Sequence, residues 1–172
     1  MRTLLPLTLV LCALGCSEKP QPEAPLGKST VAPNRPTSGQ ALAEATVAAL
    51  KANNPDAALE LVVTVFDIGR TCPKMNPKFL SHREKLITET RAAFTECAGL
   101  ADWANAKVVE VKGGEQAAPS PVEECEGAHR LADIFIKVES GAKKVEVKLD
   151  DPLAINGVVV LGEPGPKCKV IE

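Results

Sequence analysis

Four cysteines carry the clearest chemistry in this chain of 172 residues. Two further cysteines, Cys12 and Cys16, lie in or directly after an apolar leader. The remaining four are Cys72, Cys97, Cys125 and Cys168. Zinc sites are usually built from paired spacings such as Cys-x-x-Cys, and these four cysteines have none. In an exported domain they predict two disulfides, with three possible pairings.

Histidine and carboxylate side chains are the other groups that could bind a metal ion or transfer protons. His82 and His129 are the only histidines, and His82 is expected on the solvated side of a helix. His129 follows Glu123, Glu124 and Glu126. Adjacent acidic residues in a polar loop are more often solvated than bound to metal. The pattern therefore predicts no metal site and no cofactor.

Asp133 is the best candidate for a carboxylate in a pocket, because it interrupts an apolar strand between Leu131 and Phe135. It lies on the opposite side of that strand from Ile134. That side either lines a cavity or faces water, and an outward Asp on a half-exposed strand is the simpler interpretation. The chain has no serine nucleophile motif and no phosphate-binding glycine loop. We predict no catalytic residues and keep Asp133 as a weak pocket candidate.

The first residues form a leader for export. Arg2 precedes an apolar stretch, 4–14. This stretch is shorter than the roughly 20 residues that a membrane-spanning helix needs, and its length is typical of a signal-peptide core. The stretch LCALGC, Leu11 to Cys16, resembles a bacterial lipobox, in which the cysteine is lipidated and becomes the first residue after cleavage. The resemblance implies a signal peptide over 1–15 and an acyl anchor at Cys16.

The lipobox is imperfect, because Ala13 and Leu14 stand in the reverse of the usual order. An ordinary secretory cleavage site is therefore the alternative. Ser17 follows the cysteine, where an Asp would be the common signal for retention in the inner membrane. We therefore expect a lipid-anchored protein of the cell envelope, in the outer membrane of a Gram-negative bacterium.

Residues 16–37 are expected to form the anchor and a disordered tether, and residues 38–172 one domain. The tether contains five prolines among polar residues, which favours an extended polyproline II chain. These are Pro20, Pro22, Pro25, Pro33 and Pro36. The net charge of −2 and the lack of a basic block exclude nucleic acid as an expected partner.

Apolar spacing predicts three helices in the first half of the domain. Ser38 to Ala52 is the first. Asn54 and Pro55 begin the second, which continues through the β-branched stretch 59–68 to a stop at Gly69. The third begins at Asn76 and extends towards Leu100. Its heptad-spaced apolar residues are Leu80, Ile87 and Phe94.

Beyond Leu100 the apolar period changes to two, which predicts an antiparallel meander of about four strands. Asp151-Pro152 should interrupt the pairing, and Asn156-Gly157 is a strong hairpin turn signal. The predicted strands centre on Val109 and Val111, on Ala132 to Val138, on Val145 to Leu149 and on Val158 to Leu161. The fold class is therefore α+β, with three N-terminal helices packed on a curved antiparallel sheet.

This order of elements resembles the cystatin-like cone of the nuclear transport factor two superfamily. The segment KVEVKLDDPLAINGVVVL, residues 144–161, resembles the final hairpin of that fold. The resemblance implies helices covering one face of the sheet and a cone whose mouth can hold a ligand. Some enzymes of this fold, similar to ketosteroid isomerase, place an acid inside the pocket together with a tyrosine, and this chain has no tyrosine.

The same topology ranks the disulfides. With helix three along the sheet, Cys72 and Cys125 share one end, and Cys97 and Cys168 share the other. The alternative joins Cys72 to Cys97 and Cys125 to Cys168. A bridge from Cys72 to Cys97 would join points about 30 Å apart, since a helix rises 1.5 Å per residue, whereas bridged Cα atoms lie within about 7 Å. The topology therefore favours Cys72–Cys125 with Cys97–Cys168.

Two functions remain open. The first is a non-catalytic interaction or structural module of the envelope, held at the membrane through Cys16 and acting on another envelope protein. The second is a small-ligand-binding domain, less readily an enzyme, that uses the mouth of the cone. A ligand-binding cone needs a concave pocket with converging polar groups, whereas a structural module should fill its interior with aliphatic side chains. The aliphatic strands favour the first.

Overall fold

The computed structural model describes residues 35–72, 74, 76–115, 120–122 and 125–172. The predicted signal peptide, Cys16 and the tether up to residue 34 lie outside the described residues, as do Glu123 and Glu124. The described part is an α+β structure with two antiparallel sheets, which confirms the predicted fold class at that level.

The described residues contain four α-helices, where the sequence predicted three. They are α1 (Gly39–Lys51), α2 (Pro55–Leu59), α3 (Val65–Thr71) and α4 (Asn76–Ala98). The start of α1 is fixed by the Ser38 hydroxyl, which accepts a hydrogen bond from the Ala41 N–H at 3.1 Å. Asn54 caps α2 in the same way, so both predicted helix starts are confirmed.

The predicted second helix is wrong beyond Leu59, where the chain leaves the helix and turns into an extended segment. Val62 bridges to Leu161 in parallel orientation, the Val63 N–H donates to the Leu161 carbonyl, and the Leu161 N–H donates to the Leu61 carbonyl. A new helix, α3, then begins at Thr64 and runs through Gly69. The β-branched residues take the extended conformation because strand partners are available, which outweighs the continued helix.

In the part of the chain that the structure describes, eight strands form two sheets of four, where the sequence predicted one sheet of about four. The first sheet has the order β1 (Lys107–Lys112), β4 (Ile134–Ser140), β5 (Lys143–Leu149), β8 (Lys167–Val170). The second sheet has the order β2 (Ser120–Pro121), β3 (His129–Arg130), β6 (Leu153–Ile155), β7 (Val158–Val160). All the sheet pairings are antiparallel.

The break between the sheets falls at Asp151-Pro152, where the sequence predicted an interruption. Asp151 has a φ of 43°, and the chain leaves the first sheet there and enters the second. The predicted hairpin at Asn156-Gly157 is confirmed, with φ values of 51° and 78° at these two residues. The fourth predicted strand is therefore correct in position, but it pairs with β6 and lies outside the first sheet.

The core lies between the helices and the inner face of the first sheet, which we define by its six inward side chains. These side chains are fully buried at 0% exposure: Ile134, Ile136, Val138, Val145, Val147 and Leu149. Helix α1 occupies the centre, in contact with β4 of the first sheet and β7 of the second. Gly39 at its start lies so close to Gly114 that a Cβ on Gly39 would stand 2.6 Å from the Gly114 backbone.

Two disulfides fasten the helices to the strands. Cys72, at the end of α3, is bonded to Cys125, with Cα atoms 4.2 Å apart. Cys97, near the end of α4, is bonded to Cys168 of β8, with Cα atoms 5.3 Å apart. This is the pairing that the sequence-based topology ranked first. Cys168 lies on β8, a strand that was not among the four predicted from the sequence.

Candidate functional site

The outward side of the first sheet, which we call the charged face, is the largest ordered array of ionisable groups in the described chain. Successive residues of a strand point to opposite sides of the sheet, so the polar residues that alternate with the apolar inner side chains form the outer face. The face is built from residues of all four strands. They are Lys107, Glu110, Lys112, Phe135, Lys137, Glu139, Lys144, Glu146, Lys148, Lys167 and Lys169, with Asp133 and Asp150 at the strand ends.

Glu110 links two strands of the charged face. Its carboxylate lies 2.6 Å from the Lys112 ammonium on the same strand and 2.7 Å from the Lys137 ammonium on the neighbouring strand. Hydrogen bonds from these two lysines lower the pKa of Glu110 to about 2. Glu110 therefore stays ionised through the physiological range and keeps the β1 edge registered on β4.

Lys148 lies at the centre of the face. Its ammonium is 2.8 Å from Asp133 and 2.5 Å from Asp150, and it lies 5.5 Å from the centre of the Phe135 ring. The two carboxylates raise the pKa of Lys148 above its ordinary value. Lys167 also pairs with Asp150, and Lys169 pairs with Glu146 at 2.7 Å. The ammonium groups are thus matched by carboxylates across the strands.

Asp133, the pocket candidate, belongs to this charged face. Besides Lys148, it accepts a hydrogen bond from the Asp151 N–H at 3.1 Å, which holds the turn where the chain leaves the first sheet. The hydrogen bonds from Lys148 and from that backbone N–H lower the pKa of Asp133. A carboxylate used as a buried acid would have a raised pKa. The geometry therefore gives Asp133 a structural role in the turn.

Two shallow depressions lie on the described surface. One, of about 220 Å³, lies on the charged face beside Phe135 and Lys148. The other, of about 320 Å³, is a groove between the helices, lined by Leu50, Asn53 and Phe94 among others, with no charged side chain in its lining. Neither brings together an acid, a base and a nucleophile, and neither enters the space between the inner face and α1.

The histidines take separate positions. His82 is exposed on α4, as predicted, while His129 lies on β3 of the second sheet. No group of three or more potential metal ligands occurs among the residues that the structure describes. Glu123 and Glu124, which the sequence analysis considered together with His129 as possible metal ligands, lie outside the described residues.

A second polar cluster, which sequence reasoning missed, joins the N-terminal segment to the domain. We call it the junction cluster: Arg35, Thr64, Asp67, Thr71 and Asn156. Arg35 forms an ion pair with Asp67, and their side chains are only 12% and 8% exposed. Arg35 also donates to the Val62 carbonyl at 3.1 Å. These contacts hold the end of the predicted tether against α3.

The other members of the junction cluster complete the hydrogen bonding of Asp67. The Thr64 N–H donates to its second carboxylate oxygen at 2.6 Å and the Asp67 N–H donates to the Thr64 hydroxyl at 3.4 Å, which together form the capping box of α3. The Thr64 hydroxyl also donates to that carboxylate oxygen at 2.8 Å. Asn156 donates to the Asp67 carbonyl at 2.9 Å and accepts from Thr71 at 2.7 Å. The Thr64-x-x-Asp67 spacing is the signal in the sequence that could have revealed this helix start.

Within the described residues, no helix is both long and apolar enough to cross a membrane. Comparison with protein-family models, with curated proteins and with solved structures finds no match to this chain.

Proposed function

We propose that this chain is an exported protein, anchored to the cell envelope by a lipid on Cys16, and that its domain is a non-catalytic interaction or structural module. The observation that carries the proposal is the filled interior. The six side chains of the inner face are 0% exposed, so aliphatic groups occupy the space in which a ligand-binding cone would hold its ligand.

The electrostatics of the charged face support the same function. Asp133 has a lowered pKa and is held by Lys148. A carboxylate in this state is a weak base and does not carry a proton at neutral pH, so it is poorly suited to acid–base chemistry. The charged face instead has a balanced, ordered pattern of donors and acceptors, which suits contact with water or with another protein.

The junction cluster supports a domain displayed from a tether. Arg35 and Pro36, near the end of the stretch assigned to the tether, are bonded to the domain, and the Val159 N–H donates to the Pro36 carbonyl at 2.8 Å. The stretch from Cys16 to Arg35 would span about 60 Å as a polyproline II chain with a rise of about 3.1 Å per residue. A domain at the end of such a tether would stand clear of the membrane surface.

We further propose that the domain is related to the nuclear transport factor two-like cone. Helices packed against one face of an antiparallel sheet support the relation, and so does the hairpin at Asn156-Gly157. The division of the strands into two sheets departs from the single curved sheet that the resemblance implies.

The alternative, a small-ligand-binding domain, is favoured only by the groove of about 320 Å³ between the helices. Its polar groups are Asn53, Asn54 and Thr95, beside the apolar side chains of Leu50 and Phe94. Titration of an Asn54→Leu variant and of the wild type against a library of small neutral metabolites would test it by thermal shift. A ligand that stabilises only the wild type would favour this alternative.

The anchor is tested by expressing the full chain in a Gram-negative host together with Cys16→Ala, and with Cys12→Ala as the matched control. Membrane fractionation and intact mass are measured on the same samples. We expect the wild type and Cys12→Ala to be membrane-bound with added acyl mass, and Cys16→Ala to lack that mass. Soluble wild-type protein with a leader cut elsewhere would overturn the anchor.

A further inference from the structure

The two edges of the first sheet carry the large hydrophobic side chains that stay exposed in the described chain. Val108 and Val109 on β1 are 45% and 51% exposed, and Val170 and Ile171 at the β8 edge are 47% and 36% exposed. Scattered exposed aliphatic residues are normal on a protein surface. Here, however, they lie on or directly after two strands that, within the described residues, have a sheet partner on one side only, so both edges can accept another strand.

The topology makes these two edges complementary. Because the first sheet has four strands that are all antiparallel to their neighbours, β1 and β8 run in opposite directions. Translating a second copy in the plane of the sheet, without rotation, brings its β8 beside β1 of the first copy in antiparallel orientation. The inner faces of the two copies then lie on the same side, and the strand alternation continues across the contact.

One register of that contact matches side chains as well as backbones. It places Lys107 opposite Glu172, Val108 opposite Ile171, Val109 opposite Val170, Glu110 opposite Lys169, Val111 opposite Cys168 and Lys112 opposite Lys167. Two of these pairs join opposite charges and two join exposed aliphatic residues. The final pair joins two lysines, each already paired within its own chain, with Glu110 and with Asp150.

Both strands also carry an irregularity at the same level of this register. The pairing of β1 with β4 shifts between Val108 and Glu110, so β1 has one extra residue there. Beside β8, the Lys144 N–H donates to the Glu172 carbonyl, and the Lys144 carbonyl accepts from the Ile171 N–H. Two residues, Ile171 and Glu172, therefore lie opposite the single residue Lys144. An irregularity on one strand alone would break the register. With one on each strand, the register is kept.

We propose that the β1 edge binds the β8 edge of a second copy of this chain, so that copies associate head to tail into one continuous sheet. This contact uses different patches on the two partners, so it generates chains or rings and has no two-fold axis. The proposal deepens the interaction role and rests on it, since it supplies the partner. It does not depend on the lipid anchor.

Crosslinking of the full chain tests the proposal directly. The protein is exported in a Gram-negative host so that its disulfides form, extracted in mild detergent, and treated with a short bismaleimide, which reacts only with free thiols. The variants are Val109→Cys, Val170→Cys and the double Val109→Cys/Val170→Cys. The matched control is Val109→Cys/Lys51→Cys, which places the second thiol at the exposed end of α1.

We expect a ladder of dimers, trimers and larger species from the Val109→Cys/Val170→Cys double variant, and only monomers from each single variant and from the control. Dimers from Val109→Cys or Val170→Cys alone would mean a two-fold contact and would overturn the proposal. A double variant that crosslinks no more than the control would overturn it too. Fractionation of the same samples reports the anchor separately, and the wild type treated with the same reagent reports any crosslinking through an unacylated Cys16. Failure of one proposal is therefore distinguishable from failure of the other.

A charge swap checks the register without altering the aliphatic residues. In the double-cysteine background, Lys107→Glu places a carboxylate opposite Glu172, and we expect the crosslinked fraction to fall roughly fivefold. Adding Glu172→Lys restores opposite charges and should restore the ladder. Rescue excludes misfolding as the cause of the loss. If Lys107→Glu leaves the ladder unchanged, or if Glu172→Lys fails to rescue it, the proposed register is wrong.

Discussion

The two sheets of this domain are held together by different means. In the first sheet β4 and β5 have seven residues each, and their inner side chains are fully buried. In the second sheet the strands have two or three residues, too few for a stable sheet by themselves. That sheet is instead fixed by connections to the rest of the chain, namely the Cys72–Cys125 bridge, the junction cluster and the hydrogen bonds of Leu161.

The first sheet is therefore a platform that is stabilised by its own burial, and the second sheet is attached to it. The first sheet is stabilised by burying one apolar face along its whole length, and the opposite face is left for charges. The second sheet closes the domain at the point where the N-terminal segment arrives, because Pro36 and Arg35 bond to β7 and to the α3 region. Breaking a tie should therefore affect the second sheet more than the first, whereas core truncation should affect the first sheet and the whole domain alike.

Removing the Cys72–Cys125 bridge should give the largest effect. The bridged residues are separated by 53 positions, and a cross-link of that length restricts the unfolded chain by about 4 kcal/mol at 25 °C. We expect Cys72→Ser/Cys125→Ser to lose about that much free energy of unfolding in a urea titration. A loss below about 1 kcal/mol would contradict the role given to this bridge.

Truncating the inner face comes next. Ile136→Ala removes a fully buried side chain between α1 and the first sheet, and we expect it to cost about 3 kcal/mol in the free energy of unfolding. Its neighbour on the same strand provides the control, since Lys137→Ala removes only a partly exposed ion pair and should lower the free energy of unfolding far less than Ile136→Ala does. Equal losses in the two variants would mean that the faces have been assigned incorrectly.

The junction cluster should contribute less. Arg35→Ala leaves Asp67 buried without its cation, and because both side chains keep slight exposure we expect a loss of about 2 kcal/mol, below the range for fully buried pairs. Arg91→Ala is the matched control, since its ion pair with Asp56 is 54% and 74% exposed and should contribute less than about 0.5 kcal/mol. Thermal unfolding of both variants in parallel would show the difference, and similar shifts would argue against a buried junction.

Acid should produce the smallest change. The pKa of Glu110 is lowered to about 2 in the folded state from an ordinary 4.5, so its contribution to stability is present above about 4.5 and is lost as the pH falls through about 2. Lys137→Met should flatten this dependence by removing one of the two ammonium partners. NMR titration of the Glu110 side chain would check it. A titration midpoint near pH 4.5 for Glu110 in the wild type would mean that its ion pairs with Lys112 and Lys137 do not form in solution.

Elements with a sustained pattern could be predicted from the sequence. Asn54 marked one helix start by capping, and the strict alternation of 145–149 identified β5 because one side of that strand is buried along its length. The turn at Asn156-Gly157 was predicted because these two residues adopt positive φ more readily than others. In each case local chemistry and the final fold agree.

The errors arose where distant partners decide the structure. Nothing in Leu61 to Val63 indicates pairing with Leu161, almost a hundred positions away, so the segment was predicted as helix. Strands β2 and β3 have two residues each and leave no periodicity to detect. For the candidate site, alternation predicted that Asp133 points away from the inner face, but its pairing with Lys148 depends on the register between β4 and β5.

Arg35 was missed for a similar reason, since one arginine in a proline-rich stretch has no periodic neighbours and its partner Asp67 lies 32 positions further along the chain. The strand β8 was missed although 167–170 alternate between lysines and less polar residues, because four residues after a Gly-Pro loop resemble a chain end.

Hydrogen exchange of the Cys72→Ser/Cys125→Ser variant tests the central claim, that the first sheet is a self-sufficient platform while the second depends on its ties. The amides of β6 and β7 should lose protection roughly tenfold or more beyond the loss in β4 and β5, whose protection falls only with the global free energy of unfolding. Equal loss of protection in both sheets, or no loss in β6 and β7, would contradict the account.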